Sequence, residues 1–257
     1  MDSLLYVSQL IQAEGVRIGV EHWRRNRGRC MGALYWQLND CWPVASWSGL
    51  DYYGRFKALH YFAKRFFAPV AISAVTENNI LKLYCANETM KNHNCVINCR
   101  LLKYDGTVIS ENSVCAELKP LSAEECFSLD ISQYLCSDED RRNIYAEFEL
   151  CENDKVISRG TEMFCPAKHI ELRNPKITAT VEQQNDVFYI TLSAVAPAFF
   201  TELVLEEYDA VFSDNCIYLS SDKPVTVSIK KNNIDASLTR EDITKLLKIR
   251  SLFDTYE

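Results

Sequence analysis

Along residues 70–164 the chain sets short apolar runs between turn residues, at Val70 to Val75, Ile80 to Ala86, Cys95 to Tyr104, Val108 to Ala116, Cys126 to Ile131, Ile144 to Cys151 and Val156 to Phe164. Runs of this length, bounded by polar or glycine-containing turns, predict strands. Asp105-Gly106 and Asn153-Asp154 are hairpin signals, because these residues accept the backbone torsions a tight turn demands. Seven short strands in this span predict an immunoglobulin-like sandwich. A second β-rich set follows at Ile177 to Val181, Val187 to Leu192, Phe199 to Leu205, Ile217 to Leu219 and Val225 to Ile229. It predicts a smaller sandwich ending in a helix over Thr239 to Arg250, where Ile243, Leu246, Leu247 and Arg250 fall at helical spacing.

The first 69 residues have a different period. Leu4, Leu5, Leu10, Ile11, Ile18 and Val20 recur near helical spacing, with Ser3 available as an N-cap, Gly28 as a stop and Gly15 as a place for a break. Ala33 to Leu38 is a nearly uninterrupted apolar run bounded by Gly32 and Asn39-Asp40, the pattern of a strand buried on both faces. Arg55 to Phe67 is helical again and stops at Pro69. The fold class expected is mainly β: two immunoglobulin-like sandwiches, 70–166 and 167–257, preceded at 1–69 by a helix-strand-helix piece.

Composition narrows the function classes. With 257 residues, 47% hydrophobic and 25% charged, the chain is of ordinary globular make-up. The net charge of −7, from 28 basic and 35 acidic residues along the whole length, leaves no basic patch for nucleic acid or an anionic membrane. No window approaches the roughly 20 apolar residues of a membrane span. Eleven cysteines, an odd number lying mostly inside strand-like runs, read as reduced thiols and point to a cytoplasmic protein. The one sequon, Asn87-Glu88-Thr89, matters only if the chain is secreted.

Candidate chemistry concentrates in one place. Three of the four tryptophans, Trp36, Trp42 and Trp47, fall within twelve residues, with Asn39 and Asp40 between them. An apolar strand, a polar and aromatic loop and a helix form a βα unit, whose loop is the usual ligand site of barrels and open α/β sheets. Indole faces suit the C–H faces of sugars, and carboxylates or amides suit their hydroxyls. Core packing explains aromatic clusters equally well, so residue types alone leave both readings open. Cys95-x-x-x-Cys99 with His93 does not converge tetrahedrally on a metal. No Gly-rich phosphate loop implies a nucleotide cofactor. His22, His93 and His169 have no triad-like surroundings in sequence, and His60 reads as a packed or hydrogen-bonded residue.

The stretch MGALYWQLNDCWPVASWSGLDYYGRFKALHYFAKRFFAPV resembles the end of the catalytic barrel of glycoside hydrolase family 2, its β-mannosidase branch in particular. YVSQLIQAEGVRIGVEHWRRNRGRCMG is similar to the helix before the last barrel strand, and VFSDNCIYL with LTREDITKLLKIRSLFDTY to the family's C-terminal immunoglobulin-like domain. The resemblance implies a retaining hydrolase of non-reducing-end β-mannosides, working through two carboxylates roughly 5 Å apart. Trp36 matches the tryptophan lining the sugar pocket; Asn39, Asp40 and Trp42 are pocket lining or loop builders, and Trp47 is structural. Both catalytic glutamates of the family lie upstream of the eighth strand, so no catalytic residue, metal ligand or cofactor site is assigned here, and Asn87-Glu88 is a decoy. The partner implied is a β-mannoside or oligosaccharide, and the unpaired barrel strand offers a surface for self-association. Two alternatives stay open: a non-catalytic carbohydrate-binding or interaction module built of the two sandwiches, and a galactosidase or glucuronidase branch of the same family.

Overall fold

The computed structural model describes residues 1–235 and 237–256. By Cα proximity the chain divides into two units: residues 1–16, 35–63 and 173–257 form one, and 17–34 and 64–172 the other.

The second of these contains the larger sandwich. One of its sheets joins β1 (Val70–Glu77), β2 (Ile80–Asn87) and β5 (Ser122–Asp130); the other, in the order β4-β3-β6-β7, joins β4 (Val108–Leu118), β3 (His93–Lys103), β6 (Ile144–Glu152) and β7 (Lys155–Met163). Every pairing is antiparallel. Alternation decides the faces: Leu81, Leu83 and Cys85 from β2 meet Cys95, Ile97, Cys99 and Leu101 from β3 and Ala146, Phe148 and Leu150 from β6 in one buried core. The hairpin turns fall where the sequence places them, with Asn153, Asp154 and Gly106 all at positive φ. Gly160 is required by packing, since a Cβ there would lie 2.7 Å from the ring of Phe148, its cross-strand partner. A six-residue helix, α3 (Asp138–Asn143), was not expected from periodicity; a capping box between Ser137 and Asp140 nucleates it.

The other unit holds the smaller sandwich. Its sheets are β8 (Thr178–Gln184), β9 (Val187–Ser193) and β12 (Val225–Lys230), in the order β12-β9-β8, and β10 (Ala198–Leu205), β11 (Ile217–Leu219) and β13 (Leu247–Arg250), in the order β11-β10-β13. Phe188, Ile190, Leu192, Leu203, Leu205, Leu219, Val227 and Ile229 form its core. The helix expected over Thr239 to Arg250 is shorter than its spacing suggests. α4 (Arg240–Leu246) starts at a Thr239–Asp242 capping box, and Leu247–Arg250 leaves the helix to pair with β10. Leu205 faces Leu247 and Glu202 faces Arg250 in that ladder, so the strand gains backbone partners and an ion pair to Glu202 that a further helical turn would forgo.

The N-terminal helix α1 (Asp2–Arg25) runs unbroken through Gly15, and α2 (Ala58–Phe66) follows the tryptophan segment. Between them the expected buried strand at Ala33 to Leu38 is absent. Leu34, Trp36 and Leu38 are exposed, and the backbone forms no regular ladder, only hydrogen bonds from Gly49 and Leu50 to Gln37 O and Leu38 O and an isolated bridge between Asn39 and Leu50. Among the described residues no strand pairs with this run, and a lone extended segment has no ladder to satisfy its N–H and C=O groups, so it stays irregular.

Candidate functional site

The site is built from the loop after α1, residues 35–57, and its first support is local backbone. Gly49 N–H donates to Gln37 O at 3.0 Å, Leu50 N–H to Leu38 O at 2.8 Å and Asp40 N–H to Leu50 O at 3.2 Å, so the two arms of the loop run side by side. Gly49 fits this closure closely: a Cβ there would lie 3.1 Å from the Tyr35 hydroxyl and 3.4 Å from Leu38 O. Lys57 N–H donates to Gly49 O at 3.0 Å and ties the loop to the start of α2. From α1, Gln12 Nε2 donates to Trp47 O at 2.5 Å, and Gln9 Oε1 accepts from Ala58 N–H at 3.1 Å.

Two carboxylates organise the loop from inside. Asp40 is only 4% exposed. It accepts from the Ser46 hydroxyl, lies 2.8 Å from Ser48 Oγ, and accepts from Lys57 Nζ at 3.2 Å and Gln37 Nε2 at 3.4 Å. Lys57 Nζ also donates to Ser48 Oγ at 2.6 Å, and Ser48 is fully buried. The Ser46 hydrogen bond, aided by Ser48 and Lys57, outweighs the opposing effect of burial and holds the Asp40 carboxyl below the usual carboxylate range. Asp51 accepts from the N–H groups of Tyr53 and Arg55, both at 2.9 Å, and from Arg55 Nε at 2.6 Å. Sequence reasoning missed Ser46, Ser48, Asp51 and Lys57; the Ser-x-Ser spacing before Gly49 and the Asp-to-Arg spacing of four were the available signals.

The aromatic side chains face the other way. Trp36 is 76% exposed, Trp42 63% and Trp47 62%, and Tyr52 and Tyr53 are exposed as well. The Tyr52 and Tyr53 rings meet edge to face at 5.2 Å, with the Arg55 guanidinium 5.0 Å from the Tyr53 ring centroid. Asn39 is exposed, and its amide donates to Asp40 O at 3.2 Å. The Trp36–Gln37 peptide is cis. Trp36, Asn39 and Trp42 thus lie on the surface of a loop whose interior Asp40 braces. His60 lies beneath it: its Nδ1 is buried without a hydrogen-bond partner, its ring packs edge to face on Phe56 at 4.3 Å, and burial lowers its basicity. It is a packed histidine.

A second polar cluster sits in the larger sandwich and departs from the sequence reading of His93. His93 Nδ1 lies 2.9 Å from Glu152 Oε1 and its Nε2 2.9 Å from Thr89 Oγ1, which is a triad-like line. The Thr89 hydroxyl, however, has a closer acceptor in Asn87 Oδ1 at 2.7 Å. The Thr89 backbone N–H donates to the same Asn87 Oδ1 at 2.9 Å, so the line braces the turn that follows β2. Asn87 is wholly buried, and its Nδ2 serves Lys91 O, Leu118 O and Lys119 O. The sequon nitrogen is therefore spent on structure. Glu88, the decoy of the Asn-Glu pair, is held by Arg27 in an ion pair. Among the described residues no group of three or more His, Cys, Asp or Glu is placed to hold a metal ion, and no helix is long and apolar enough to cross a membrane.

Comparison with known proteins places both sandwiches. Residues 79–169 match a mannosidase Ig/CBM-like domain and residues 172–255 an Ig-fold domain of mannosidases. The chain is 31% identical to β-mannosidase of Capra hircus over 98% of its length, and 31% identical to that of Bos taurus over the same share. It spans about three tenths of those relatives, 30% of each. Among solved structures, the β-D-mannosidase of Dictyoglomus thermophilum superposes with a TM-score of 0.85 at 26% identity, covering 96% of this chain and 29% of that one. An exo-chitosanase of Amycolatopsis orientalis, at 18% identity and a TM-score of 0.70 over 96% of this chain and 33% of that one, shares the fold.

Proposed function

Because this chain belongs with the C-terminal region of the β-mannosidases of glycoside hydrolase family 2, we propose that it is that part of a retaining exo-β-mannosidase, contributing one aromatic wall of the sugar pocket and neither catalytic carboxylate. The observation that carries this reading is the division of labour in the loop at 35–57. Ser46, Ser48 and Lys57 are turned inward around Asp40, while Trp36 and Trp42 are turned outward. An aromatic surface on a braced loop is what stacking on a sugar ring requires, since the face must be presented without ordering cost at binding. In this scheme Trp36 stacks on the mannosyl ring, Asn39 and Trp42 flank it, and Asp40 positions all three. The two carboxylates of the retaining mechanism, nucleophile and acid/base through a glycosyl-enzyme intermediate, come from residues outside 1–257, so the chain alone hydrolyses nothing. The free state of all eleven cysteines supports a reducing, cytoplasmic setting.

The test uses the 257-residue chain as it stands. Incubated with p-nitrophenyl β-mannoside it is expected to release no nitrophenol, and titrated with mannose it is expected to show weak quenching of tryptophan fluorescence that Trp36→Ala removes. Turnover by the chain alone refutes the assignment of both carboxylates elsewhere. The Ig/CBM-like match over 79–169 supports one alternative, a sugar-binding module in the larger sandwich. Saturable manno-oligosaccharide binding that is indifferent to Trp36→Ala decides for that module.

A further inference from the structure

The loop carries a second braced aromatic element, apart from the surface made by Trp36 and Trp42. Asp51 to Arg55 is a tight turn, in which Asp51 N–H donates to Arg55 O and Gly54 N–H to Asp51 O, both at 3.0 Å. The Asp51 carboxylate clasps the turn from one side, accepting from the N–H groups of Tyr53 and Arg55 and from Arg55 Nε. Tyr52 and Tyr53 stand at its tip. Neither ring is spent on a core, since Tyr52 is 50% exposed and Tyr53 65%. Their edge-to-face contact and the Arg55 guanidinium over the Tyr53 ring hold both rings to the turn. Rings fixed in this way lose little freedom when a ligand arrives.

The base of the turn sets its place in the loop. Leu50 bridges Asn39 on one side and Phe56 on the other, so the turn begins one residue past the rung that carries Asn39. Paired backbones lie about 5 Å apart and successive Cα atoms about 3.8 Å, which puts the Tyr52 Cα within roughly 13 Å of the Asn39 Cα. A short oligosaccharide spans that distance and a single sugar does not. The turn also carries no unbalanced positive charge, because Arg55 is paired with Asp51 at 2.6 Å and has Asp209 3.9 Å away. Ring faces without net charge beside them suit a neutral ligand.

We propose that Tyr52 and Tyr53 form a second sugar contact, which holds the residue next to the terminal mannosyl unit in a neutral manno-oligosaccharide. The proposal rests on the reading of Trp36 as the wall for the terminal ring. An enzyme that removes the terminal residue leaves the remainder of its substrate to run outward on the reducing-end side, and the turn beside Asn39 offers that remainder two fixed ring faces. A monosaccharide then gains from Trp36 alone, and a longer chain gains from the tyrosines as well.

Saturation-transfer NMR titrations of the 257-residue chain with mannose and with β-linked mannotriose provide the test. Mannotriose is expected to bind about three- to tenfold more tightly than mannose, the gain from one further stacked ring, with saturation reaching protons of its second residue. Tyr53→Ala is expected to return mannotriose to the affinity of mannose and to leave mannose unchanged, Tyr53→Phe to keep the gain, and Trp36→Ala to weaken both sugars. Should Tyr53→Ala fail to fold, Tyr52→Ala carries the same comparison at the other ring. Mannotriose that binds no tighter than mannose, or a gain that survives removal of either ring, overturns the proposal, while mannose binding that depends on Trp36 leaves the wall standing. Mannotriose binding that depends on Tyr53 and not on Trp36 supports the tyrosine contact and refutes the wall. If neither sugar binds, both fall.

Discussion

Asp40 shows how little a residue's type says about its role until its surroundings are known. The sequence offered it as a sugar-facing carboxylate or a loop builder; inside the fold it is buried and engaged by Ser46, Ser48, Lys57 and Gln37. Its folded carboxyl releases its proton more readily than the unfolded one. The stability it contributes is therefore complete above the unfolded value of roughly 3.9 and is lost as pH falls through the lower folded value. Asp40→Asn keeps the size and removes the charge. The variant is expected to melt a few degrees below the parent at neutral pH, with the gap closing as pH falls below about 4. Thermal scans across that range check it, and a gap independent of pH removes the charge from the explanation. The exposure of Trp36 and Trp42 was legible only as a choice between core and surface, because indole area serves either; the inward network of short polar side chains that settles the choice involves Ser46, Ser48 and Lys57, none of which carries a recognisable pattern alone.

At the scale of elements, legibility followed the kind of neighbour each element needs. The strands of both sandwiches were readable because alternation reports a half-buried sheet, and they find ladder partners within the same chain, in hairpins such as β3-β4 and β8-β9 or across the sequence as in β2-β5 and β3-β6. Leu247–Arg250 was not, because apolar residues near a helix end satisfy helical spacing while β10 competes for their backbone. Ala33 to Leu38 failed for the opposite reason: its apolar run implied a buried strand, and no described strand pairs with it. Polar groups inside a sheet escape pattern reading altogether. Arg100 on β3 and Glu147 on β6 face each other in the ladder, are 8% and 5% exposed, and are joined through Arg100 Nε at 2.6 Å. Breaking such a pair strands one buried charge, so Arg100→Met or Glu147→Leu alone is expected to cost about 3–5 kcal/mol, whereas the double replacement recovers most of that loss. Urea unfolding of the three variants measures the coupling; additive losses mean that each side chain acts through other partners.

For the molecule as a whole, the informative feature is apolar surface that its own core does not use. α1 buries Tyr6, Leu10 and Ala13, yet leaves Leu4, Leu5 and Ile11 exposed, and the loop at 35–57 adds Leu38, Val44 and three tryptophans. Single exposed apolar residues are ordinary, but contiguous ones mark surfaces that meet a partner. In the proposed parent enzyme that partner is the remainder of the barrel, and in its absence a second copy of the chain presents the same kind of surface. The 257-residue chain is accordingly expected to associate as its concentration rises, a behaviour that its net charge of −7 opposes and that added salt, by screening that charge, promotes. Leu4→Glu with Ile11→Lys places opposite charges on exposed helix positions, leaves net charge unchanged and removes no buried contact. Sedimentation velocity should then show association abolished or weakened severalfold, with the melting temperature held. If the double variant associates as before, the self-contact lies elsewhere and the aromatic loop is tested next through Trp42→Ser; if its melting temperature falls sharply, these residues support the fold and the surface argument fails at its premise.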